Sequence, residues 1–248
     1  TGCIMDVSET SIHESTLAML RYLDCEVVIP KKQICCGALH VHNGDRETAR
    51  EFAKKNIFAF ENGKLDLIIT NSAGCGAQLK EYHHLFSEFT PQFEKKISSF
   101  ERKTIDIMEF LSCYPEKLKK LEWCEDKDTV LYDAPCHLLH VQKVDKNLKE
   151  ILKSLPGIKL IPIEESDWCC GSAGIYNFTQ PEMSLSVLAR KTRCIIKALK
   201  DNPNAKILLT GNPGCIYQLR AGISSNNIDL RVEHPVVYLA DRLKIHGL

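Results

Sequence analysis

Gln33-Ile34-Cys35-Cys36-Gly37 returns later in the chain as Asp167-Trp168-Cys169-Cys170-Gly171. Each Cys-Cys-Gly lies between two further cysteines, Cys3 and Cys75 in the first case, Cys136 and Cys215 in the second. Matching positions are offset by 133 residues for Cys3 to Cys136, 134 for Cys35 to Cys169 and 140 for Cys75 to Cys215. Offsets this even mean an internal duplication built around two four-thiol sites, with a small insertion before the last cysteine.

Working outward, helix and strand patterns alternate, which predicts an α/β fold. In the first half, Ser11 to Tyr22 reads as an amphipathic helix and Glu26 to Pro30 as a strand. Asp45 to Asn62 reads as a longer helix ended by Gly63, and Asp66 to Thr70 as a buried strand ahead of Cys75. In the second half, Thr129 to Asp133 is a strand into Cys136, Lys146 to Leu155 a helix and Ile158 to Ile163 a strand leading to Cys169. Pro181 to Leu199 is a helix, and Lys206 to Thr210 a strand into Cys215. Phe100 to Leu111 and Pro115 to Trp123 are expected to be helical within the connection. The expectation is two tandem, pseudo-symmetric domains, residues 1–112 and 113–248, each a small, mostly parallel sheet flanked by helices. The cysteines follow the carboxyl ends of strands, where open α/β sheets hold their ligands.

The chain has 248 residues, 44% of them hydrophobic, enough for one large core or two small ones. Its 32 basic residues balance 32 acidic ones, so the basic footprint of a nucleic-acid binder is missing. No stretch reaches the roughly 18 uninterrupted apolar residues of a membrane span, and Thr1-Gly2-Cys3-Ile4 does not resemble a signal peptide. These features predict a soluble, cytosolic protein. Cys3, unlike the other motif cysteines, has only Thr1 and Gly2 before it, so an earlier strand, and with it an amino-terminal domain, is expected upstream.

Adjacent cysteines close a strained ring if they bond to each other, but two neighbouring thiolates can both reach one metal centre. Cys3, Cys35, Cys36 and Cys75, and Cys136, Cys169, Cys170 and Cys215, are therefore candidate soft-metal ligands, suited to a [4Fe-4S] cluster or to tetrahedral Zn²⁺. Gly37 and Gly171 let the backbone come close and aim N–H groups at the sulfurs. His137 and His140, near Cys136, are candidates for an outer role beside the ligands, and His40 and His42 trail the first Cys-Cys-Gly. Cys25, Cys113, Cys124 and Cys194 have no partner in the repeat and are expected to be small buried apolar groups. Ile175-Tyr176-Asn177-Phe178 reads as an apolar loop packed on its own domain, with a docking patch as the alternative.

These residues resemble the cysteine-rich, or CCG, domain found in heterodisulfide reductase and in the iron-sulfur subunits of lactate and glycolate oxidation. Cys35-Cys36-Gly37-Ala38-Leu39-His40, Asn71-Ser72-Ala73-Gly74-Cys75-Gly76, Pro135-Cys136-His137-Leu138, Cys169-Cys170-Gly171-Ser172-Ala173-Gly174, Asn212-Pro213-Gly214-Cys215 and His234-Pro235 are most similar to the glycolate oxidase iron-sulfur subunit. The resemblance implies up to two [4Fe-4S] clusters and electron transfer, with no catalytic residue in this chain. It also implies an FAD-containing hydroxy-acid dehydrogenase partner, a ferredoxin-like domain or subunit, a quinone acceptor, and a cytoplasmic location or a peripheral one on the inner face of the membrane. Heterodisulfide reductase carries a fifth cysteine where Ser72 and Asn212 stand here, which weakens a thiol-disulfide activity as the alternative. A zinc-binding structural adaptor is the other alternative.

Overall fold

The structure is a computed structural model that describes residues 2–61 and 64–245. Helix α1 (Met5–Ser8) leads into α2 (Thr10–Tyr22), whose Ile12, Thr16, Met19 and Leu20 fall on one buried stripe. Thr16 is tolerated there because its hydroxyl donates to the Ile12 carbonyl at 2.7 Å. Helices α3 (Ala38–His42) and α4 (Arg46–Glu61), strand β1 (Ile68–Thr70), helix α5 (Ala73–Leu79) and a 3-10 turn at Tyr82–Leu85 follow. The expected end of α4 at Asn62 and Gly63 lies outside the described residues. Next come α6 (Pro91–Lys103), β2 (Thr104–Asp106), α7 (Ile107–Ser112) and α8 (Pro115–Lys119). The second half runs β3 (Asp128–Tyr132), a π-helical turn at His137–Val141, α9 (Asp145–Ser154), β4 (Ile158–Pro162), α10 (Tyr176–Thr179) and α11 (Pro181–Asp201). It ends with β5 (Ile207–Leu209), α12 (Pro213–Ser225), β6 (Arg231–Glu233) and α13 (Pro235–Arg242).

Both sheets are parallel and flanked by helices, as the duplication predicts. β1 pairs with β2, Ile68 opposite Thr104 and Thr70 opposite Asp106. The second sheet has the order β4-β3-β5-β6, with Val130 opposite both Leu160 and Ile207. Parallel strands send all their carboxyl ends to one edge, and the loops there carry the cysteines.

Two expected elements are corrected. Residues 26–30 form neither strand nor helix, and Val28 and Ile29 are exposed. Their counterpart β4 pairs with β3, whereas among the described residues no strand pairs with 26–30. Phe100 to Leu111 is not one helix, because Thr104 to Asp106 pair with β1 and Asp106 then caps a new helix by accepting from Met108 N at 2.8 Å. The repeat explains this break. In the second half β6 is followed by His234, which caps α13 by accepting from Val236 N at Nδ1, 3.1 Å away.

The larger core joins both halves, since Met5, Ile12, Met19, Leu20 and Leu23 pack in one cluster with Val130, Leu131, Leu208, Val236 and Leu239. A smaller core of Ala49, Ala53, Ile57, Ile68, Tyr82, Ile97 and Phe100 belongs to the first half alone. Among the described residues no helix is long and apolar enough to cross a membrane.

His234 is wholly buried, and burial lowers its pKa from 6.5 to about 3. It stays neutral in the fold but takes up a proton when unfolded below pH 6.5, so acid draws the equilibrium toward the unfolded chain. Its share of the stability lost between pH 7 and pH 5 is about 2 kcal/mol. His234→Asn keeps a capping acceptor without the titration, so urea unfolding of this variant should show a shallower acid slope than the parent.

Candidate functional site

All twelve cysteines are free thiols, and the eight repeated ones gather in two sets of four. In the first set Cys3 stands just before α1, Cys35 and Cys36 precede Gly37, and Cys75 lies in the first turn of α5. Cys3 Sγ donates to Cys35 Sγ at 3.4 Å. Hydrogen bonds from Cys3 and Cys36 pull the Cys35 thiol far down, to about 2, while the bond with Cys35 pushes Cys3 up. Cys36 donates onward to Cys75, whose thiol is lowered by that bond and by Ser72. The second set repeats the chain of contacts. Cys169 is lowered to about 2 by Cys136 and Cys170, and the bonds that Cys136 and Cys170 make with it push both of them up.

Gly37 has φ 85° and Gly171 φ 96°, and their N–H groups donate to Cys35 Sγ at 3.5 Å and Cys169 Sγ at 3.3 Å. A Cβ on Gly171 would lie 2.6 Å from the Ser184 carbonyl oxygen, so close approach also excludes other residues there. Ser72 and Asn212 are N-caps of α5 and α12. Each turns a polar side chain toward the cysteine three residues on, and Asn212 Nδ2 reaches Cys215 Sγ at 3.5 Å.

Asn212 also links the sites, because its Oδ1 accepts from Gly74 N, beside Cys75, at 3.0 Å. Around it, Ala73 N donates to Gly211 O at 3.2 Å, Gln142 Nε2 donates to Ala73 O at 2.9 Å, and His42 stacks on His137 with centroids 5.7 Å apart. His137 thus packs between the sites, with Nδ1 3.6 Å from Cys136 Sγ, and burial lowers its pKa. His140 is drawn elsewhere, its Nε2 facing the Asp167 carbonyl at 3.3 Å on the surface. His40 pairs with Asp45 at 3.2 Å. Of the unrepeated cysteines only Cys194 is buried. Cys113 is exposed, its thiol donating to Glu109 O at 3.4 Å, because it follows the last turn of α7.

Sequence reading missed the residues that hold the Cys-Cys loops from behind. Asn56, buried on α4, accepts from Ile34 N at 2.8 Å and donates to Cys35 O at 2.9 Å, and Tyr82 Oη donates to Cys36 O at 2.9 Å. Lys191, buried on α11, donates to Glu165 O at 2.6 Å and to Asp133 at 2.7 Å. Burial pushes that Asp133 carboxyl up to about 7 against the pull of Lys191. The available signal was periodicity. Asn56 continues the apolar stripe of Ala49 and Ala53, and Lys191 that of Leu188 and Ile195, and a polar residue on such a stripe needs a partner.

Soft thiols held with amide donors directed at their sulfurs fit an iron-sulfur cluster. Among the described residues no group of three or more His, Cys, Asp or Glu side chains is arranged to hold a single metal ion.

Comparison with known proteins agrees with the duplication. The cysteine-rich domain family CCG matches residues 1–80 and 130–220, which include all eight repeated cysteines. The chain is 38% identical to the "Probable glycolate oxidase iron-sulfur subunit" of Bacillus subtilis over 243 residues, 98% of this chain and 53% of the relative. It is 24% identical to "Lactate utilization protein A" of Exiguobacterium sp. over 242 residues, 98% of this chain and 96% of the relative. It is 29% identical to one subunit of the fumarate reductase (CoM/CoB) of Methanothermobacter marburgensis over 233 residues, 94% of this chain and 43% of the relative. The chain spans about half the length of the first and last of these.

Asn56→Ala leaves the part-buried Ile34 N–H and Cys35 carbonyl unpaired, so it should lower the free energy of unfolding in urea by about 1–3 kcal/mol. Tyr82→Phe, which removes one donor, should cost less.

Proposed function

The chain belongs to the cysteine-rich CCG domain family, and on that premise we propose that it is the iron-sulfur, electron-carrying part of a 2-hydroxy-acid oxidoreductase acting on glycolate or lactate. The observation that carries the reading is the doubled set of four thiols with Gly37 N–H, Gly171 N–H and Asn212 Nδ2 aimed at sulfur. Likeness to the Bacillus subtilis relative supplies the substrate class. Cys3, Cys35, Cys36 and Cys75 would hold one [4Fe-4S] cluster in a unit of residues 1–112. Cys136, Cys169, Cys170 and Cys215 would hold the other in residues 113–248.

Such a cluster supplies reversible one-electron transfer when bound. The protein's own part is to fix the sulfurs and to direct N–H dipoles at them, which favours the more negative, reduced state. Buried Cys36, Cys170 and Cys215 keep water from one side of each site. The 2-hydroxy acid reacts on an FAD-containing partner, and electrons leave through a ferredoxin-like domain or subunit toward an acceptor such as quinone. The setting is the cytoplasm, or the inner face of the membrane as a peripheral protein. Ser72 and Asn212, in place of a fifth cysteine at either site, weigh against a thiol-disulfide enzyme.

Protein purified without oxygen should contain about eight iron and eight acid-labile sulfide per chain. Cys170→Ser should lower iron, sulfide and visible absorbance by about half, whereas Cys194→Ser should leave them unchanged. Zinc without sulfide would overturn the reading in favour of a structural adaptor.

A further inference from the structure

We propose that residues 168–185 form the docking surface for the protein that exchanges electrons with the second thiol site, and that this partner meets it with an apolar patch rimmed by Lys and Arg. The proposal rests on the electron-transfer reading and names the face through which that transfer occurs.

Five large apolar side chains in this short stretch are exposed: Trp168, Tyr176, Phe178, Met183 and Leu185, with Phe178 at 82%. The packed loop expected for Ile175 to Phe178 is therefore corrected, since α10 buries none of its residues. Its backbone is committed to a tight turn, Tyr176 N donating to Ala173 O at 3.2 Å and Phe178 N to Ile175 O at 3.0 Å, which leaves both rings facing outward. An aromatic ring held in water contributes nothing to the fold, and aromatic and Met side chains together are the composition of interface cores.

The patch is fixed to the thiols. Trp168 directly precedes Cys169. Ser184 Oγ, at the start of α11, donates to Gly171 O at 2.8 Å, so the first turn of that helix sits on the Cys-Cys-Gly loop. Trp168 is held in place, with the Arg190 guanidinium 3.9 Å from its ring centroid and forked onto Glu165 at 2.8 and 2.5 Å. Met183, Val187 and Arg190 recur at helical spacing, which sets Met183 on the same stripe of α11 as the cation that covers Trp168. Trp168, fixed in this way, loses little side-chain freedom on binding.

Charge decides the kind of partner. Arg190 is neutralised by Glu165, and Lys197 by Glu164 at 2.7 Å. Asp167 and Glu182 remain exposed, with no ion pair among the described residues. The nearest unpaired cation on α11, Arg193, stands two turns beyond Leu185. The rim is therefore acidic, which attracts a basic protein surface and repels an anionic bilayer.

The probe is ferricytochrome c, a basic redox protein whose haem edge is ringed by lysines. Stopped-flow mixing with the reduced protein passes one electron to the ferric haem, which becomes ferrous. The second-order rate should fall at least about tenfold in Phe178→Ser/Met183→Ser and in Asp167→Lys/Glu182→Lys, and should fall as salt is added. Phe58→Ser, an exposed ring in the first half, should leave it unchanged. An unchanged rate in both double variants, with iron and sulfide content intact, overturns the docking surface. Sedimentation of the mixture at low ionic strength separates the two readings. A complex that Asp167→Lys/Glu182→Lys abolishes upholds the surface even in a preparation without iron, and no complex overturns it. Self-association, or binding to phosphatidylglycerol vesicles, that is lost in Phe178→Ser/Met183→Ser assigns the patch to a second copy or to a membrane and overturns the proposed partner.

Discussion

A backbone N–H turned back onto the sulfur two residues earlier governs the form of both halves. It requires positive φ at Gly37 and Gly171, and that turn aims two neighbouring thiols at one place while starting the chain in a new direction. In the second half α11 then packs so closely that Ser184 bonds to Gly171 O. In the first half α4 reaches back through Asn56 to the carbonyl of Cys35. The cysteines are thus braced from the helix behind them as well as by the sheet edge below. Each brace is a buried polar group whose loss leaves partners unpaired, an expensive state in a low-dielectric interior.

How much of this was legible in the sequence follows from how each part is encoded. The thiol sites were, because a repeated cysteine carries its own control in the other half. The strands of the second half were too, since Val130, Leu131 and Leu208, buried on both faces, give unbroken apolar runs. Residues 26–30 have the composition of a strand, but a strand exists only with a partner, and pairing is a long-range fact that a local pattern does not contain. β2 was hidden for the opposite reason, being a three-residue strand set between two helices whose combined pattern reads as one. The braces Asn56, Tyr82 and Lys191 have no motif, and only their place among buried neighbours distinguishes them.

The halves are similar in plan and unequal in construction. Behind the first Cys-Cys pair stand neutral groups, Asn56 and Tyr82, and behind the second a buried ion pair, Lys191 with Asp133. Buried ion pairs add little net stability over an apolar equivalent, but removing one member leaves a charge without compensation. The second site therefore sits in a more polar and more exacting setting than the first. It is also the site overlaid by the exposed aromatic surface of α10 and the start of α11.

The sharing of α2 bears on whether the duplicated units have any separate existence. Ile12, Met19, Leu20 and Leu23 bury their side chains in the core that both halves share, and at about 1.5–3 kcal/mol each they carry as much free energy as a typical domain's entire margin of stability. One amide, Asn212, meanwhile serves a helix start in one unit and a thiol in the other. The chain behaves as two gears cut from one blank. Severed between the halves, it would give complementary fragments that fold on meeting each other rather than two portable modules, and a graft of either thiol loop onto another scaffold would have to carry part of its twin with it.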